Sequence, residues 1–430
     1  MSEERKSQGP PLQNDQQAVI VGAGLMGVAT ALWLARAGVR STVVDAGGVG
    51  AGASQGNGGV LANVSVVPVT TPGLIGKAPS MVLDRKSPLF LRWRYLPRLL
   101  PWLRRYLAHA NASDVDRISR ALHHLLHDAP EQHAHLAKGT KAERYLKPGA
   151  YYYAYTDRAA FEADAFSWGV RAERGHRWTQ MTASEFSEAQ PGFGETVGHA
   201  VRLDGHGRVS DPHAYLKALA EHAESLGVQF VKDRVVDFER ASSNGTRNIA
   251  AVIGEKATYP CTQMVLATGA WSKPVASKLG ITLHLETERG YHVEFHNPSI
   301  MPTSPVMVAA GKFVITPMEG RIRSAGVVEF AGLEPPPSEP PFDLLIEQTK
   351  EALPGLTFDR VERWMGHRPA PADSIPYIGA SARLPNAFLA VGHHHIGLTA
   401  SAKTGRILAD CVMGIARNDD LSVYSPDRNT

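Results

Sequence analysis

The stretch Ala18-Val-Ile-Val-Gly-Ala-Gly-Leu-Met-Gly27, together with Asp45, decides the fold. Its glycines, Gly22, Gly24 and Gly27, have the G-x-G-x-x-G spacing at which a strand turns sharply into a helix. Gly22 permits the tight turn, Gly24 lets a pyrophosphate approach the backbone, and Gly27 lets the helix pack closely on the strand. Asp45 follows Gly22 by 23 positions and is placed to accept hydrogen bonds from a ribose. The combination predicts a binding site for an adenine dinucleotide.

The residues around these glycines have the pattern of a strand–helix–strand unit. Residues 18–21 are small or β-branched and predict a buried strand. Leu25 to Ala37 predicts a helix that stops at Gly38, and Ser41 to Asp45 predicts a second strand. The uncharged run from Ala18 to Ala35 is also long enough for a membrane-spanning helix. Because glycines interrupt its first third and a charged turn follows it, we favour the strand and helix.

Composition indicates a soluble globular enzyme of two domains. The 430 residues are too many for one compact core, and 43% hydrophobic with 20% charged residues is ordinary for a folded protein. A formal charge of +3, without basic runs interleaved with aromatics, argues against a nucleic-acid partner. Cys261 and Cys411 are far apart, which excludes a disulfide framework and is typical of a reducing compartment. Residues 1–17 are polar, lack an apolar signal core and predict a disordered leader, and we expect a cytoplasmic protein.

Two further elements belong with the glycine turn. Residues 50–59, Gly-Ala-Gly-Ala-Ser-Gln-Gly-Asn-Gly-Gly, form a loop almost without bulky side chains, in which Ser54 and Asn57 offer hydrogen-bonding groups. Such a loop is either a flexible surface loop or lies flat against a large planar ligand such as an isoalloxazine ring. Residues 264–272, Met-Val-Leu-Ala-Thr-Gly-Ala-Trp-Ser, predict an apolar strand whose end returns to the nucleotide site at the carboxyl edge of a parallel sheet.

The C-terminal part of the chain supplies a fourth element. His367-Arg-Pro-Ala-Pro-Ala-Asp-Ser-Ile-Pro-Tyr-Ile-Gly379 is followed by Asn386-Ala-Phe-Leu-Ala-Val-Gly-His-His-His-Ile-Gly-Leu-Thr399. A helix is predicted from Ser401 to about Met413. A strand, a turn with two glycines and a helix would place a second helix N-terminus, with its positive end, near the ligand.

With this element the chain resembles the flavin-dependent D-amino-acid oxidase superfamily, and within it the D-amino-acid dehydrogenase branch. The matching motifs keep the family order from residue 18 to residue 413. They are the first glycine turn, Gly56-Asn-Gly-Gly59, Ala267-Thr-Gly-Ala-Trp-Ser272, Arg289-Gly-Tyr-His292, Arg368-Pro with Asp373 and Pro376, and Gly392-His-His-His-Ile-Gly-Leu-Thr399.

The resemblance implies an α/β fold. One part is a discontinuous Rossmann-like FAD-binding domain, a parallel sheet flanked by helices, for which we expect residues 18–70, 201–284 and 365–430. The other is an α+β substrate domain with a mostly antiparallel sheet, for which we expect residues 71–200 and 285–364. Strands are predicted in this second domain at residues 150–155, 291–295 and 313–316.

The resemblance also implies non-covalent FAD. Its diphosphate would lie on the first glycine turn, its isoalloxazine between the Gly56 loop and the Gly397 turn, and its adenine near backbone groups of Val235. The cofactor-binding residues expected on this basis are Gly22, Gly24, Met26, Gly27, Asp45, Ser54, Gly56, Asn57, Gly58, Val235, Thr268, Gly269, Trp271, Gly392, Gly397, Leu398 and Thr399.

Four residues are candidates for contact with the substrate. The resemblance implies that Arg368 pairs with a substrate carboxylate, and the chemistry agrees, because a guanidinium grips a carboxylate bidentately and a lysine does not. The alternative for Arg368 is a structural salt bridge. Tyr291 and His292 either line the pocket and orient the amine or are satisfied core residues. His395 is the fourth catalytic candidate.

One position departs from the family pattern. Such dehydrogenases usually carry Gly-His-Gly-His where this chain has Gly392-His-His-His395, so His394 replaces a glycine close to the flavin. The new side chain either narrows the pocket, changes the electrostatics beside the ring or points to solvent. Three adjacent histidines also suggest a metal, but consecutive side chains diverge and no carboxylate or thiolate lies nearby, so no metal is expected. The departure leaves the substrate open.

Residues 89–106, Leu-Phe-Leu-Arg-Trp-Arg-Tyr-Leu-Pro-Arg-Leu-Leu-Pro-Trp-Leu-Arg-Arg-Tyr, alternate arginines with tryptophans and leucines. This composition is typical of an ordinary amphipathic helix on a domain surface, which we favour slightly. It is also typical of a segment that lies at a membrane surface. The second alternative would place the protein peripherally on the inner face of the cell membrane.

Together these features predict an FAD-dependent enzyme that oxidatively deaminates a small amino acid, either of D configuration or a proline-type secondary one. Hydride would pass from Cα to flavin N5, and electrons would then pass to a quinone or another carrier. Two alternatives remain. A nicotinamide-dependent dehydrogenase would use the first turn but not explain residues 392–399, and a non-catalytic or partner-dependent flavoprotein subunit would not need Arg368.

Overall fold

The structure, a computed structural model, describes residues 17–76, 87–243 and 246–428. The leader predicted for residues 1–17 lies outside the described residues except for Gln17, which is the first residue of a strand. The strands are β1 Gln17–Val21, β2 Arg40–Asp45, β3 Val60–Leu61, β4 Leu89–Leu91, β5 Leu146–Tyr155, β6 Thr179–Thr182, β7 His199–Val209, β8 Gln229–Lys232, β9 Val235–Ser243, β10 Thr246–Gly254, β11 Thr258–Pro260, β12 Gln263–Leu266, β13 Leu285–His296, β14 Val306–Val308, β15 Phe313–Met318, β16 Arg321–Phe330, β17 Arg360–Pro371, β18 Tyr377–Ser381 and β19 Leu384–Val391. The helices are α1 Leu25–Arg36, α2 Leu96–Ala108, α3 Ala112–Leu126, α4 Ala129–Ala137, α5 Arg158–Ala163, α6 Ala165–Glu173, α7 Ala183–Ala189, α8 Pro212–Ser225, α9 Ser272–Lys278, α10 Pro340–Ala352 and α11 Gly397–Val412.

The first sheet has six strands in the order β18-β19-β12-β1-β2-β8. All of its pairs are parallel except the edge pair of β18 with β19. The strand predicted at residues 264–266 therefore lies beside β1 and ends at the same edge as the glycine turn, as expected. This confirms the predicted α/β nucleotide-binding fold.

Helices α1 and α11 pack closely on each other and on this sheet. Gly405 of α11 has no side chain where it meets Ala29 of α1, and a Cβ atom there would lie 2.6 Å from the Ala29 Cβ. Both helices are buried over most of their length. Among the described residues, none of the helices combines the length and apolar character needed to cross a bilayer.

The second sheet is mixed and mostly antiparallel, with the order β17-β13-β16-β15-β14-β5-β7-β3 and with β4 and β6 paired at its side. The strands predicted at 150–155, 291–295 and 313–316 lie in β5, β13 and β15. Helix α10 packs on β13 and β16, where Phe342 and Leu345 contribute to a core with Val293 and Phe295. The predicted antiparallel second layer is thus confirmed.

The sheets do not follow the predicted domain ranges everywhere. Strand β3 lies in the range 18–70 but pairs with β7 in the second sheet, and β7 and β17 each run across a predicted boundary. The strands of the six-stranded sheet, by contrast, all come from the ranges expected for the FAD-binding domain, apart from Gln17. We keep the division into two discontinuous domains as a proposal.

Two local expectations need correction. The C-terminal helix predicted from Ser401 begins four residues earlier, at Gly397, so that the glycine is the first residue of the helix instead of part of the preceding turn. In the segment 89–106, only residues from Leu96 onward are α-helical. Residues 89–91 form β4, which pairs in parallel with β16.

Candidate active site

A cavity of about 1000 Å³ is lined by residues from both sheets. The volume lies at the upper end of the range for small-molecule sites. The structure brings nearly all of the predicted site residues to this one cavity, and only Gly27 and His292 are not on its wall. Those that line it are Gly22, Gly24, Met26, Asp45, Ser54, Gly56, Asn57, Gly58, Val235, Thr268, Gly269, Trp271, Tyr291, Arg368, Gly392, His395, Gly397, Leu398 and Thr399.

The first glycine turn leaves no room for side chains at two positions. Gly22 has a φ of +111°, and a Cβ atom there would lie 2.3 Å from the Ala267 carbonyl oxygen. At Gly27 a Cβ atom would lie 1.9 Å from the Gly22 carbonyl oxygen, so this glycine serves the packing of α1 on β1 and does not need to face the cavity.

Helix α1 begins at the cavity without a side-chain cap. Its N-cap is Gly24, which lines the cavity, and the Leu25 amide donates to Ser54 Oγ at 3.0 Å. The first amides of a helix and its positive end attract an anion, and a diphosphate suits both. This cradle of backbone groups fits the diphosphate of a dinucleotide.

Asp45 closes the turn from the end of β2. One carboxylate oxygen accepts from the Ala23 amide at 2.8 Å, and the other accepts from the Gly47 and Gly48 amides at 2.8 and 2.9 Å. A carboxylate offers about four acceptor positions, so one remains for a ribose hydroxyl. Asp45 thus holds the glycine turn to the loop after β2 and still faces the cavity.

Replacing Asp45 with alanine is expected to weaken FAD binding by about 1–3 kcal/mol, the usual cost of losing hydrogen bonds to a charged group. The dissociation constant of FAD, measured by flavin fluorescence on the reconstituted apoprotein, tests this. Asp45→Asn, which keeps one acceptor oxygen, should lose less. Unchanged FAD affinity in Asp45→Ala, or an altered substrate preference in FAD-saturated protein, would contradict the role.

The glycine-rich loop at residues 50–59 is ordered by hydrogen bonds. The Asn57 side chain folds back on its own loop, donating to the Ser54 carbonyl at 2.7 Å and accepting from the Gly59 amide at 2.9 Å. Thr316 of the second sheet donates to the Gly58 carbonyl at 2.8 Å. The loop is therefore fixed along the cavity and does not have the form of a free surface loop.

His292 is packed and hydrogen-bonded within the protein core. Its Nδ1–H donates to the Gly56 carbonyl at 2.9 Å, and its ring stacks on Trp364 with centroids 4.8 Å apart. Burial lowers the pKa of His292 to about 3, so the ring is neutral. Trp364 in turn covers Gly56, where a Cβ atom would lie 2.3 Å from the indole. His292 thus fixes the Gly56 loop and is not among the residues that line the cavity.

The hydroxyl of Tyr291 is also hydrogen-bonded within the protein. The O–H donates to Glu329 Oε2 at 2.6 Å and accepts from the Ser338 amide at 3.0 Å, and the ring packs edge-on against Phe342. Although Tyr291 contributes to the cavity wall, its polar group is committed to Glu329. A role of Tyr291 in orienting an amine would require its hydroxyl to leave Glu329.

Arg368 presents its guanidinium to the cavity. Among the described residues, no hydrogen bond or salt bridge joins this guanidinium to a protein group, in contrast to the neighbouring Arg289, which is bonded to Glu329 and to carbonyls. Gly290 makes room for it, since a Cβ atom there would lie 2.5 Å from the Arg368 Cζ. Burial lowers the pKa of Arg368, and the Glu288 carboxylate opposes that shift. The side chain is placed to bind an anion that enters the cavity.

The histidine turn contains a contact with a carboxylate that the sequence did not predict. His394 has a φ of +45°, the left-handed conformation that favours glycine, and its Nε2 contacts Glu288 Oε2. The expectation that no carboxylate lies near the three histidines was therefore wrong. Burial alone would raise the pKa of Glu288, but His394 and Arg368 hold it below its usual range.

The three rings of the turn have different partners. His393 Nε2 bonds Thr404 Oγ1 at 3.2 Å, and His395 Nδ1 lies 3.0 Å from His394 Nδ1. In the described part of the chain, the grouping of potential metal ligands is a different one, Glu294 with His296 and Glu362. Its Glu294 is already bonded to two arginines. Both clusters thus contain groups that are already engaged in contacts within the protein.

Sequence reasoning missed Glu288 and Trp364, both of which line the cavity. Glu288 lies directly opposite Arg368 in the antiparallel pairing of β13 with β17. Only this register brings the carboxylate to the arginine, and no local motif marks it. Tyr106 of α2 also lines the cavity, which the alternation of arginines and leucines in residues 89–106 does not predict.

Comparison with known proteins agrees with this geometry. Residues 17–411 match the family model described as FAD dependent oxidoreductase (DAO). The chain is 35% identical to a D-amino-acid oxidase of Bradyrhizobium diazoefficiens over 420 residues, 96% of this chain and 99% of that one. It is 30% identical to a D-amino acid dehydrogenase of Paramagnetospirillum magneticum, over 93% and 95% of the two chains. In fold it resembles glycine oxidase from Geobacillus kaustophilus, with a TM-score of 0.71 at 22% identity over 96% and 100% of the chains.

These matches span nearly the whole chain, and the cavity, the start of α1 and the glycine-rich loop along the cavity fit FAD as the cofactor. The resemblance inferred from the motifs is confirmed, and a nicotinamide-dependent dehydrogenase is no longer needed to explain the first turn. The chain belongs to the DAO family of FAD dependent oxidoreductases.

Proposed function

We propose that this protein oxidises a small amino acid, of D configuration or of the cyclic secondary type, with Arg368 as the clamp for the substrate carboxylate. The observation that carries the proposal is the half-buried guanidinium that lines the cavity and forms no hydrogen bond or salt bridge with a described residue. Glu288 contributes a favourable charge nearby, but the donors of the guanidinium remain for a substrate carboxylate, which would accept two parallel hydrogen bonds. The names of the similar oxidases and dehydrogenases support an amino-acid substrate.

The chain's own residues orient the substrate and the cofactor. FAD, when bound, supplies the acceptor for the hydride that leaves the substrate Cα. The first glycine turn, Asp45 and the Gly56 loop hold the cofactor, and Arg368 fixes the carboxylate. Apolar side chains such as Val314 and Val328 form part of the wall and suit an apolar substrate side chain. Catalysis then depends mainly on orientation and electrostatics.

Turnover of the isolated chain tests this proposal. Purified holoenzyme should reduce a dye acceptor with at least one small amino acid in a screen of D- and L-amino acids and N-alkyl glycines. Parallel measurement with oxygen alone distinguishes an oxidase from a dehydrogenase that uses a quinone or another carrier. We favour the dehydrogenase. Flavin-containing protein that turns over none of these compounds would instead support a partner-dependent subunit.

We further propose that α2 and the residues before it contact a membrane that holds the electron acceptor. The inner face of this segment is buried, with Leu99, Trp102 and Tyr106 packed in one cluster with Phe330. On its outer face, Trp93 and Leu100 are 61% and 52% exposed to solvent, and arginines lie beside them in the sequence. Exposed apolar anchors among basic residues suit an anionic lipid surface.

Substituting serine for both Trp93 and Leu100 is therefore expected to reduce binding to vesicles that contain anionic lipid by about tenfold or more. Burial of each apolar anchor in the lipid interface contributes roughly 1.5–3 kcal/mol. Co-sedimentation with such vesicles measures the effect, and Phe166→Ser, which removes an exposed aromatic from α6, is the matched control. Membrane contact would be refuted if the wild-type protein did not co-sediment with the vesicles at low salt.

A further inference from the structure

Glu288, His394 and His395 form a continuous hydrogen-bonded series that ends in the cavity. We call it the histidine chain. Glu288 Oε2 contacts His394 Nε2, and His394 Nδ1 lies 3.0 Å from His395 Nδ1. His395 lines the same cavity as Arg368. From this geometry, and resting on the proposed function, we propose that His395 Nε2 accepts a proton from the substrate ammonium group and that His394 and Glu288 are positioning residues for that step.

With His394 neutral, the hydrogen bonds determine which nitrogen of each ring carries a proton. An ionised Glu288 can only accept, so His394 Nε2 must donate to it. A neutral His394 then has only an acceptor at Nδ1, and His395 Nδ1–H must donate to that atom. The remaining nitrogen of His395, Nε2, is left with a free lone pair. The series thus prepares His395 as a base.

The proton balance of the step is simple. The N–H bond of the substrate ammonium breaks, its electron pair stays on the amine, and the proton binds His395 Nε2. The proton on His395 Nδ1 moves to His394 Nδ1, which leaves His395 neutral and His394 positively charged beside Glu288. The positive charge therefore leaves the substrate and comes to rest next to a buried carboxylate, where it is stabilised.

The reaction needs such a step because an amino acid arrives with a protonated amine, and a hydride leaves Cα readily only when the nitrogen lone pair is free. The charges around His395 favour its neutral form before the substrate enters. Burial lowers the pKa of His395, and Arg368 on β17 lowers it further. The other titratable groups of the elements around it are Glu288 on β13, Tyr106 on α2, His367 on β17 and His393.

His394 is the residue that completes the histidine chain. Its ring lies between Glu288 and His395, and the usual family glycine at this position has no ring. The residue keeps the left-handed backbone of a glycine at φ +45°, a conformation that is strained for a side-chain-bearing residue. The link between the buried carboxylate and the cavity is therefore particular to chains that carry a histidine here.

The pH dependence of the anaerobic half-reaction tests the proposal. The rate of flavin bleaching by a saturating amino acid is followed in single-turnover experiments from pH 7 to pH 10. In His395→Gln we expect a rate about 100-fold below wild type at pH 7, the ordinary contribution of a general base. The difference should vanish near pH 10, where the substrate amine is already free.

Three variants complete the series. His394→Gly restores the usual glycine and removes the link, and Glu288→Gln removes the charge while keeping an acceptor oxygen. Both should show smaller losses, of about tenfold, with the same recovery at high pH. His296→Gln, a histidine at the far end of β13 that bonds Glu362 at 3.2 Å, is the matched control and should follow wild type. A loss in His395→Gln that is equal at every pH, or no loss at all, would overturn the proposal.

A second measurement needs no turnover. 2-Aminoisobutyrate has the carboxylate and ammonium of an amino acid but no Cα hydrogen, so it binds without being oxidised. Calorimetric titration at pH 7.5 in buffers of different ionisation enthalpy counts the protons released on binding. Retention of the proton by the wild-type protein is expected, and release of one proton to the buffer would show that His395 does not take it. Failure of the proposed function would look different, because wild-type flavin would then not be bleached by any amino acid.

Discussion

Replacing Arg368 with alanine is expected to lower kcat/KM for the preferred amino acid by about 10⁴-fold while the protein stays folded and retains FAD. Sites that are built to hydrogen-bond a substrate group lose activity on this scale when the pairing is removed. Among the described residues, no hydrogen bond or salt bridge holds the Arg368 guanidinium, and only the charge of Glu288 acts on it. Steady-state rates and flavin content measure the two parts of this expectation.

Two comparisons separate a carboxylate clamp from a merely structural arginine. Arg368→Lys keeps the charge but loses the two parallel hydrogen bonds, so activity should still fall strongly. Gly290→Ala keeps the arginine but places a Cβ atom 2.5 Å from its present Cζ position, which displaces the guanidinium. Toward the matched amine without a carboxylate, Arg368→Ala should lose much less than toward the amino acid. Equal losses on both compounds would remove Arg368 from the substrate site.

The nucleotide-binding half of the site was readable from the sequence because its determinants are local. Gly22, Gly24, Gly27 and Asp45 lie within one strand–helix–strand unit, where chain geometry alone dictates the neighbours of each residue. The structure places a backbone oxygen where a side chain of Gly22 or Gly27 would be, and it places Gly24 on the cavity wall.

The substrate half was less readable because β13 is covered on both faces. Ten of its residues are buried, including Glu288, Tyr291 and His292, so alternation along the strand does not tell which side chains face the cavity. Tyr291 and His292 therefore fit two alternatives; in the structure their polar groups are hydrogen-bonded within the protein, and Tyr291 also lines the cavity. The contact of Glu288 with His394 joins residues 106 positions apart and depends on strand register, which no motif encodes.

The predicted start of the last helix failed for a related reason. The sequence predicts a glycine turn at Gly392 and Gly397, and glycine commonly ends or precedes helices. In the structure a short 3₁₀ turn at His394–Ile396 leads directly into α11, and Gly397 is its first residue. The glycine lines the cavity at the helix N-terminus, which suits a position where ligand and backbone come close.

Gly27→Ala is expected to cost about 3 kcal/mol of unfolding free energy or more, and most of the bound flavin, although only one methyl group is added. The new Cβ atom would lie 1.9 Å from the Gly22 carbonyl oxygen, a backbone atom that cannot move alone because the Gly22 amide is bonded to Val44 at 2.8 Å. Relief of the clash must separate α1 from β1, and the cost of such overpacking is at the upper end of the usual range. Chemical denaturation and flavin content measure both effects.

Gly169→Ala is the matched control, because it lies at an exposed position in α6 with nothing within 4 Å of the added atom. It should stabilise the protein by about 0.5–1 kcal/mol. If Gly27→Ala behaved like that control, the close contact of helix and strand at the dinucleotide turn would not be what positions the cofactor.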